Sequence, residues 1–403
     1  TVEMKYIVVI PDGMADYPIA EIGDKTPLQI ARTPNMNYLA QHGCTGLVQT
    51  IPDGMKPGSD VGNMAILGYD PKIYLTGRAP LEAANLNIVL HDDEVAFRCN
   101  LVTVENGKMI DYSAGHIPTK EASILINALN ASIVHEGIKF YAGKSYRHLL
   151  VLKTRKPQEY LKVKTYPPHD ILDKNIKPYL PSGDAAEMLL MLMEKSKIIF
   201  DGHSVNHVRV DLKENPANMI WLWGQGMMPD LPLFAEKFGV KGAIISAVDL
   251  VNGIGRLAGL EVIDVPGITG YYDTNYLGKA QYALEALKTK DFVYIHVEAP
   301  DEAGHNGDLD AKIASIEKID KDIVGTILNH FNQHDDVRLL VLPDHPTPVV
   351  LRTHTDDPVC FVMYGKGIPH DGSQDFSESS AKEKGLKFSS GEALLTAFIR
   401  KYL

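Results

Sequence analysis

The sequence predicts an α/β fold, with a mostly parallel sheet flanked by helices and a smaller α/β domain inserted into it. Short apolar runs end in a polar or glycine turn at Tyr6–Ile10, Gly242–Ser246, Phe292–Val297, Leu339–Leu342 and Val359–Tyr364. Strands buried on both faces have that form. Helical periodicity fills the intervals at Leu28–Gln41, Leu277–Leu287, Asp310–Phe331 and Gly391–Tyr402. Strand alternating with helix indicates a parallel sheet.

The middle of the chain breaks the pattern. Strand-like runs at Ala96–Val104, His148–Lys153 and Met219–Trp223 accompany helix-like runs at Lys120–Ile133 and Ala185–Ile199. The Lys/Pro-rich stretch Lys153–Pro181 reads as surface connections. The expected division is 1–75 with 240–403 for an outer, metal-binding domain and 76–239 for an inserted, substrate-binding domain. The segment Asp371–Ser390, rich in serine, glycine and charge, reads as a long surface excursion before the last helix.

Composition narrows the function classes. With 403 residues, 45% hydrophobic and 23% charged, the chain is long enough for more than one well-buried core. A net charge of −11 argues against a nucleic-acid partner, since phosphate contact needs a basic face. Local cations can still draw an anionic substrate into one cleft. Cys44, Cys99 and Cys360 are odd in number and far apart, which suits neither a disulfide framework nor a zinc cluster. The apolar run Ile7–Ile10 is too short for a signal segment, and no run reaches the length of a membrane span. These features lead to the expectation of a cytoplasmic protein without a membrane partner.

Four clusters lie where predicted strands end, the place where ligands bind in open α/β sheets. Asp12, in Pro11-Asp12-Gly13, could ligate a metal; taken alone it reads as a turn. Ser59, in Pro57-Gly58-Ser59-Asp60, stands where a helix begins and where an anionic oxygen is favoured; taken alone it reads as an N-cap. Asp301 and His305 are four apart and would share one helix face, as metal ligands or as a solvent-facing ion pair. Asp344 and His345 follow the run Leu339–Leu342, with His354 close behind; as neighbours at a strand end they could point to two different metals. One serine, three Asp and three His at strand ends suit two divalent ions about 4 Å apart with a serine oxygen between them. The absence of cysteine favours Zn²⁺, Mn²⁺ or Mg²⁺ over soft ions.

These clusters resemble those of the alkaline phosphatase superfamily, and more closely the cofactor-independent phosphoglycerate mutases of the archaeal type. The resemblance extends through Pro34-Asn35-Met36, Leu67-Gly68-Tyr69-Asp70-Pro71, Thr76-Gly77-Arg78-Ala79-Pro80-Leu81-Glu82-Ala83, Phe97-Arg98-Cys99-Asn100, Asp111-Tyr112-Ser113-Ala114-Gly115 and Tyr271-Tyr272-Asp273-Thr274. It is weakest between about 150 and 215. It implies an alkaline-phosphatase-like domain with an inserted substrate domain. It implies Ser59 as a nucleophile that becomes phosphoserine. One metal would be held by Asp12, Ser59, Asp344 and His345, the other by Asp301, His305 and His354. The ions implied are Mn²⁺ or Mg²⁺, with Zn²⁺ or Co²⁺ possible, and no 2,3-bisphosphoglycerate. The substrate implied is a small phosphorylated hydroxy acid, moved between 3- and 2-phosphoglycerate. Arg78, Arg98 and Arg147 are candidates to grip it, with His116 and His148 as helpers, because a planar guanidinium matches carboxylate and phosphate.

Two departures stand out. Where an arginine is expected late in the insert, the chain reads Trp221-Leu222-Trp223-Gly224-Gln225-Gly226. That keeps open a homoserine kinase-like phosphotransferase using the same serine chemistry. Cys360 stands where the family pattern has proline, and reads as a buried structural thiol. A plain phosphomonoesterase and a binding protein with a structural metal are the remaining alternatives.

Overall fold

The computed structural model describes residues 3–332 and 334–400. The chain forms two compact units, one of residues 1–75 with 230–403 and one of residues 76–229. The first segment carries β1 (Lys5–Pro11) and β2 (Cys44–Val48). The insert carries β3 (Glu94–Glu105), β4 (Lys108–Asp111), β5 (Ile138–Lys144), β6 (Arg147–Lys153) and β7 (Met219–Gly226). The returning chain adds β8 (Gly242–Ile245), β9 (Glu261–Val262), β10 (Phe292–Val297), β11 (Val337–Val341), β12 (Val359–Gly365) and β13 (Lys387–Phe388).

The first unit is built on a sheet of order β13-β2-β12-β11-β1-β10-β8-β9. Its central run β11-β1-β10-β8 is parallel, and β12 is antiparallel to both neighbours. Ile7, Val9, Val293, Ile295 and Leu339 are buried beneath helices, which is why these strands read as unbroken apolar runs. In the second unit every strand pairing is antiparallel. Helices such as Thr119–Ser132 and Ala186–Phe200 cover one face of that sheet, around Phe97, Leu125, Leu150 and Trp221.

Several boundaries differ from the sequence expectation, each for a physical reason. Residues 230–239 pack with the first unit rather than the insert, because Phe234 lies 4.6 Å ring to ring from Phe292. The predicted helix Leu28–Gln41 is two helices, Pro27–Ile30 and Pro34–Gln41; Pro34 lacks an N–H and disfavours helical backbone at Thr33. The predicted helix Asp310–Phe331 contains a π turn at Ile319–Val324. There Asp320 accepts from the N–H groups of Asn35 (3.2 Å) and Met36 (2.7 Å) and so caps the Pro34–Gln41 helix. The last helix is Gly391–Ile399; the predicted end at Tyr402 lies outside the described residues. The stretch Asp371–Ser390 is not merely a surface excursion: it forms the Glu378–Lys384 helix and β13, and buries Phe376 and Ala381. No helix among the described residues is long and apolar enough to cross a membrane. The three cysteines are buried, Cys360 within β12.

The Glu378 carboxyl is buried, one oxygen lacking a partner among the described residues and the other accepting from Thr26 Oγ1 at 2.6 Å. Burial pushes its carboxyl up to about 7. A raised folded-state value means that this group's stabilising effect is fully present below about pH 4.5 and is lost as pH rises through 7. Glu378→Gln should therefore be more stable than wild type by roughly 1–3 kcal/mol at pH 8, with the gap shrinking towards zero at pH 5. Urea unfolding at both pH values checks this. A gap independent of pH contradicts it.

Candidate active site

The carboxyl ends of three adjacent strands, β11, β1 and β10, converge on one buried pocket. Asp12 follows β1 directly, and its N–H donates to Val297 O at 2.9 Å, locking it to the end of β10. Gly13 turns the chain with φ +65°, and a Cβ there would lie 2.5 Å from Thr347 Oγ1 and 2.8 Å from Asp301 Oδ1. Only glycine fits that approach. The N–H of Gly13 in turn donates to Asp344 Oδ1 at 3.1 Å.

Ser59 is the first residue of the Ser59–Ile66 helix, and the N-cap position falls to Gly58. The hydroxyl is thus released from capping and donates to Asp12 Oδ2 at 3.1 Å, with His345 Nε2 at 3.4 Å. Its place at a helix N-terminus favours negative charge on that oxygen.

Asp301 sits in the first turn of the Ala299–Asn306 helix after β10, with His305 one turn on. Asp301 Oδ2 is 3.3 Å from His305 Nε2, and Asp301 Oδ1 is 3.2 Å from His354 Nε2. The two imidazole Nε2 atoms face each other at 2.8 Å. Asp344 and His345 follow β11 and are fully buried. His345 Nε2 lies 3.2 Å from Asp12 Oδ1 and 3.6 Å from Asp344 Oδ1, the chain having turned after Pro343 instead of continuing as strand.

Residues absent from the sequence expectation complete the pocket. His296, inside β10, is fully buried, with Nε2 3.0 Å from Asp12 Oδ2 and 3.8 Å from Asp344 Oδ2. Its only sequence signal was a lone histidine in the apolar run Phe292–Val297. Asn63 donates to Asp344 Oδ2 at 2.9 Å and accepts from Tyr294 OH at 2.5 Å. Thr347 donates to Asp301 Oδ1 at 2.5 Å. Buried Lys279 donates to His296 O at 2.7 Å.

The residues present fit divalent cations. Asp301, His305 and His354 form one group whose ligand atoms lie within 4.8 Å of one another; Asp12, Asp301 and His345 form a second, and Asp12, His296 and Asp344 a third. Among the described residues, Asp12 Oδ1 and His296 Nε2 are buried without a well-aligned hydrogen bond, although His296 Nε2 stands 3.0 Å from Asp12 Oδ2. Burial, then the charges of Asp301 and Asp344, pushes the Asp12 carboxyl upward. For His345 burial alone would lower the imidazole, but Asp344 and Asp12 outweigh it and push the value up to about 10. His296 and His305 rise to about 9 beside their carboxylates, against the effect of burial. Carboxylates that close favour positive charge among them, and oxygen and nitrogen donors without sulfur suit Mn²⁺, Mg²⁺, Co²⁺ or Zn²⁺.

The proposed substrate residues all lie in the insert. Arg98 is buried in a pair with Glu82 at 2.7 Å. Arg78 is half-buried at the start of the Arg78–Asn85 helix. Arg147 and His116 are exposed, each near Tyr146. His148 is a correction. It is buried, its Nδ1 accepts from Gly143 N–H at 2.9 Å, and its Nε2 meets Ser145 O at 2.7 Å. Both ring nitrogens are spent on the β5–β6 turn, and burial lowers the imidazole to about 4, so His148 holds a hairpin rather than a substrate.

A 2,3-bisphosphoglycerate-independent phosphoglycerate mutase of Methanosarcina barkeri is 53% identical over 385 residues, covering 95% of this chain and 96% of its own. The chain belongs to the 2,3-bisphosphoglycerate-independent phosphoglycerate mutase family. The family's sequence profile matches residues 40–206. A mutase of the same name from Methanothrix thermoacetophila is 50% identical over 397 residues, covering 98% of this chain and all of its own. Among solved structures, a Pyrococcus horikoshii protein superposes with a TM-score of 0.84 at 30% identity, covering 99% of this chain and 97% of its own. A cofactor-independent phosphoglycerate mutase of Thermoplasma acidophilum gives 0.69 at 28% identity, covering 98% and 99%. The mixed α/β fold is therefore that of phosphoglycerate mutases of this family.

A cation entering the pocket must find neutral imidazoles, whereas His345, His296 and His305 favour the protonated form at neutral pH. Mn²⁺ added to chelator-treated protein at pH 7.5 should release protons, at least one per ion. Calorimetry in two buffers of different ionisation enthalpy measures this. Binding heats identical in both buffers contradict it.

Proposed function

We propose that this enzyme interconverts 3-phosphoglycerate and 2-phosphoglycerate through a phosphoserine on Ser59, with two divalent ions held at the carboxyl end of the first unit's sheet. The observation that carries the reading is the Ser59 hydroxyl, free of capping, aimed at Asp12 and His345 within the carboxylate–histidine cluster. Asp301, His305 and His354 would hold one ion. Asp12, Asp344 and His345, with Ser59, would hold the other, and His296 bears on Asp12 and Asp344 from within β10. Two bound ions supply positive charge that lowers the serine pKa and neutralises the oxygens of the transferring phosphoryl group.

The steps belong to the chain's own side chains. Ser59 Oγ gives up its proton to Asp12 along their contact and attacks phosphorus, the bond to the 3-oxygen of the substrate breaks, and that oxygen takes up the proton. Glycerate stays bound through the second step. Its 2-hydroxyl then gives up its proton to Asp12 and attacks the phosphoserine, the bond from phosphorus to Ser59 Oγ breaks, and that oxygen takes up the proton. No second phosphorylated cofactor is needed, because the serine itself carries the phosphoryl group between the two hydroxyls.

A coupled assay on Mn²⁺-loaded protein, offered 3-phosphoglycerate alone, should show 2-phosphoglycerate with little free phosphate. Ser59→Ala should lose at least about a thousandfold in kcat while still binding Mn²⁺. Unchanged turnover in Ser59→Ala ends the phosphoserine reading. A phosphorylatable Ser59 without isomerisation transfers the assignment to another hydroxyl acceptor, of which homoserine is the first to try. Exhaustive chelation should abolish turnover and Mn²⁺ should restore it; turnover surviving chelation contradicts the two-ion site.

A further inference from the structure

The segment Trp221–Gly226 lacks the arginine that its family resemblance called for, and the structure shows what it does instead. β3 and β7 pair with Arg98 opposite Trp223 and Ala96 opposite Gly226, so β7 spends one more residue than β3 between those pairs. That is a β-bulge, a device that re-aims side chains and is common beside active sites. Gly224 takes φ +63°, and a Cβ there would lie 3.1 Å from Arg98 Cδ, so glycine both forms the bulge and clears the arginine's stem. Gln225 anchors the bulge: its side-chain N–H donates to Val163 O at 2.6 Å, and its side-chain oxygen accepts from Thr165 Oγ1 at 2.7 Å.

The result is a platform for Arg98. Its guanidinium carbon stands 4.3 Å over the centre of the Trp223 ring. The indole cannot swing away, because its N–H donates to Asn100 Oδ1 at 3.0 Å. Glu82 holds the guanidinium from another side at 2.7 Å. Arg78 lies one helical turn before Glu82 on the same face of its helix, and Arg147 pairs across the sheet with Asn100, two residues beyond Arg98 on the same face of β3. Burial depresses the pKa of Arg98, Glu82 opposes this, and Arg78 and Arg147 add to the lowering. A cluster of cations built so closely fits an anionic ligand.

We propose that Trp223 is a positioning residue that fixes Arg98, through the face of its indole, to bind the anionic group of the phosphorylated hydroxy acid. The inference rests on phosphoglycerate as substrate. β3 supplies the arginine, and β7 supplies the surface on which it lies.

The test is binding and turnover of 3-phosphoglycerate on Mn²⁺-loaded Trp223→Leu, Trp223→Phe, Arg98→Leu and the double variant Trp223→Leu/Arg98→Leu. Trp223→Leu should raise both KM and the calorimetric Kd about tenfold, the size expected for loss of a partly desolvated cation–π contact, with kcat changed less than about twofold. Trp223→Phe keeps an aromatic face and should stay within about threefold of wild type. The double variant should be no worse than Arg98→Leu alone, because Trp223 acts through Arg98. Additive losses, or a Kd for Trp223→Leu within twofold of wild type, overturn the inference and leave the proposed function standing. Failure of the wild-type protein to bind 3-phosphoglycerate overturns both.

Discussion

Three carboxylates, Asp12, Asp301 and Asp344, are buried together at the carboxyl ends of β1, β10 and β11, the three adjacent parallel strands at the centre of the sheet. Water cannot screen them there, and the mutual repulsion visible at Asp12 has to be met by positive charge. The rest of the pocket follows from that requirement. His296, His305, His345 and His354 crowd against the acids, Gly13 gives up its side chain so that two strand ends can meet, and Asn63 and Thr347 hold individual carboxylate oxygens. A serine set against such a cluster, at the start of a helix, has its ionised form favoured from both sides. The phosphoryl chemistry proposed for Ser59 is a consequence of that arrangement.

The outer unit was largely legible in the sequence because its strands are buried on both faces. Phe292–Val297 and Val359–Tyr364 announced themselves as unbroken apolar runs, and the residues just after the runs carried the acids and histidines. What the sequence could not show was determined by tertiary pairing. β2 is a short mixed run, Cys44–Val48, that becomes a strand because β12 and β13 flank it. His296 was hidden because a histidine inside an apolar strand looks like core until its neighbours are known. His148 misled in the opposite direction: its residue type suited anion binding, while the backbone of its own hairpin occupies both ring nitrogens.

The insert shows why residue type and position along the chain are not enough to read a binding site. Its sheet is antiparallel throughout, with a bulge where β7 passes Arg98. The spacing Trp-Gly-Gln-Gly looks like a loss of charge when read along one strand. Read across the sheet it is support for a charge that the neighbouring strand provides. The proposed metal ligands cluster at strand ends and leave a local signature. The residues proposed to grip the substrate lie on a helix start and separate strands, which leaves little trace in sequence.

The buried carboxylates are proposed to hold two cations beside Ser59. Anomalous diffraction from crystals soaked in Mn²⁺, collected above and below the manganese edge, tests it most directly. Two peaks are expected in the first unit, one bounded by Asp301, His305 and His354 and the other by Asp12, Asp344, His345 and the Ser59 hydroxyl. A single peak, or strong peaks remote from Ser59, would contradict it.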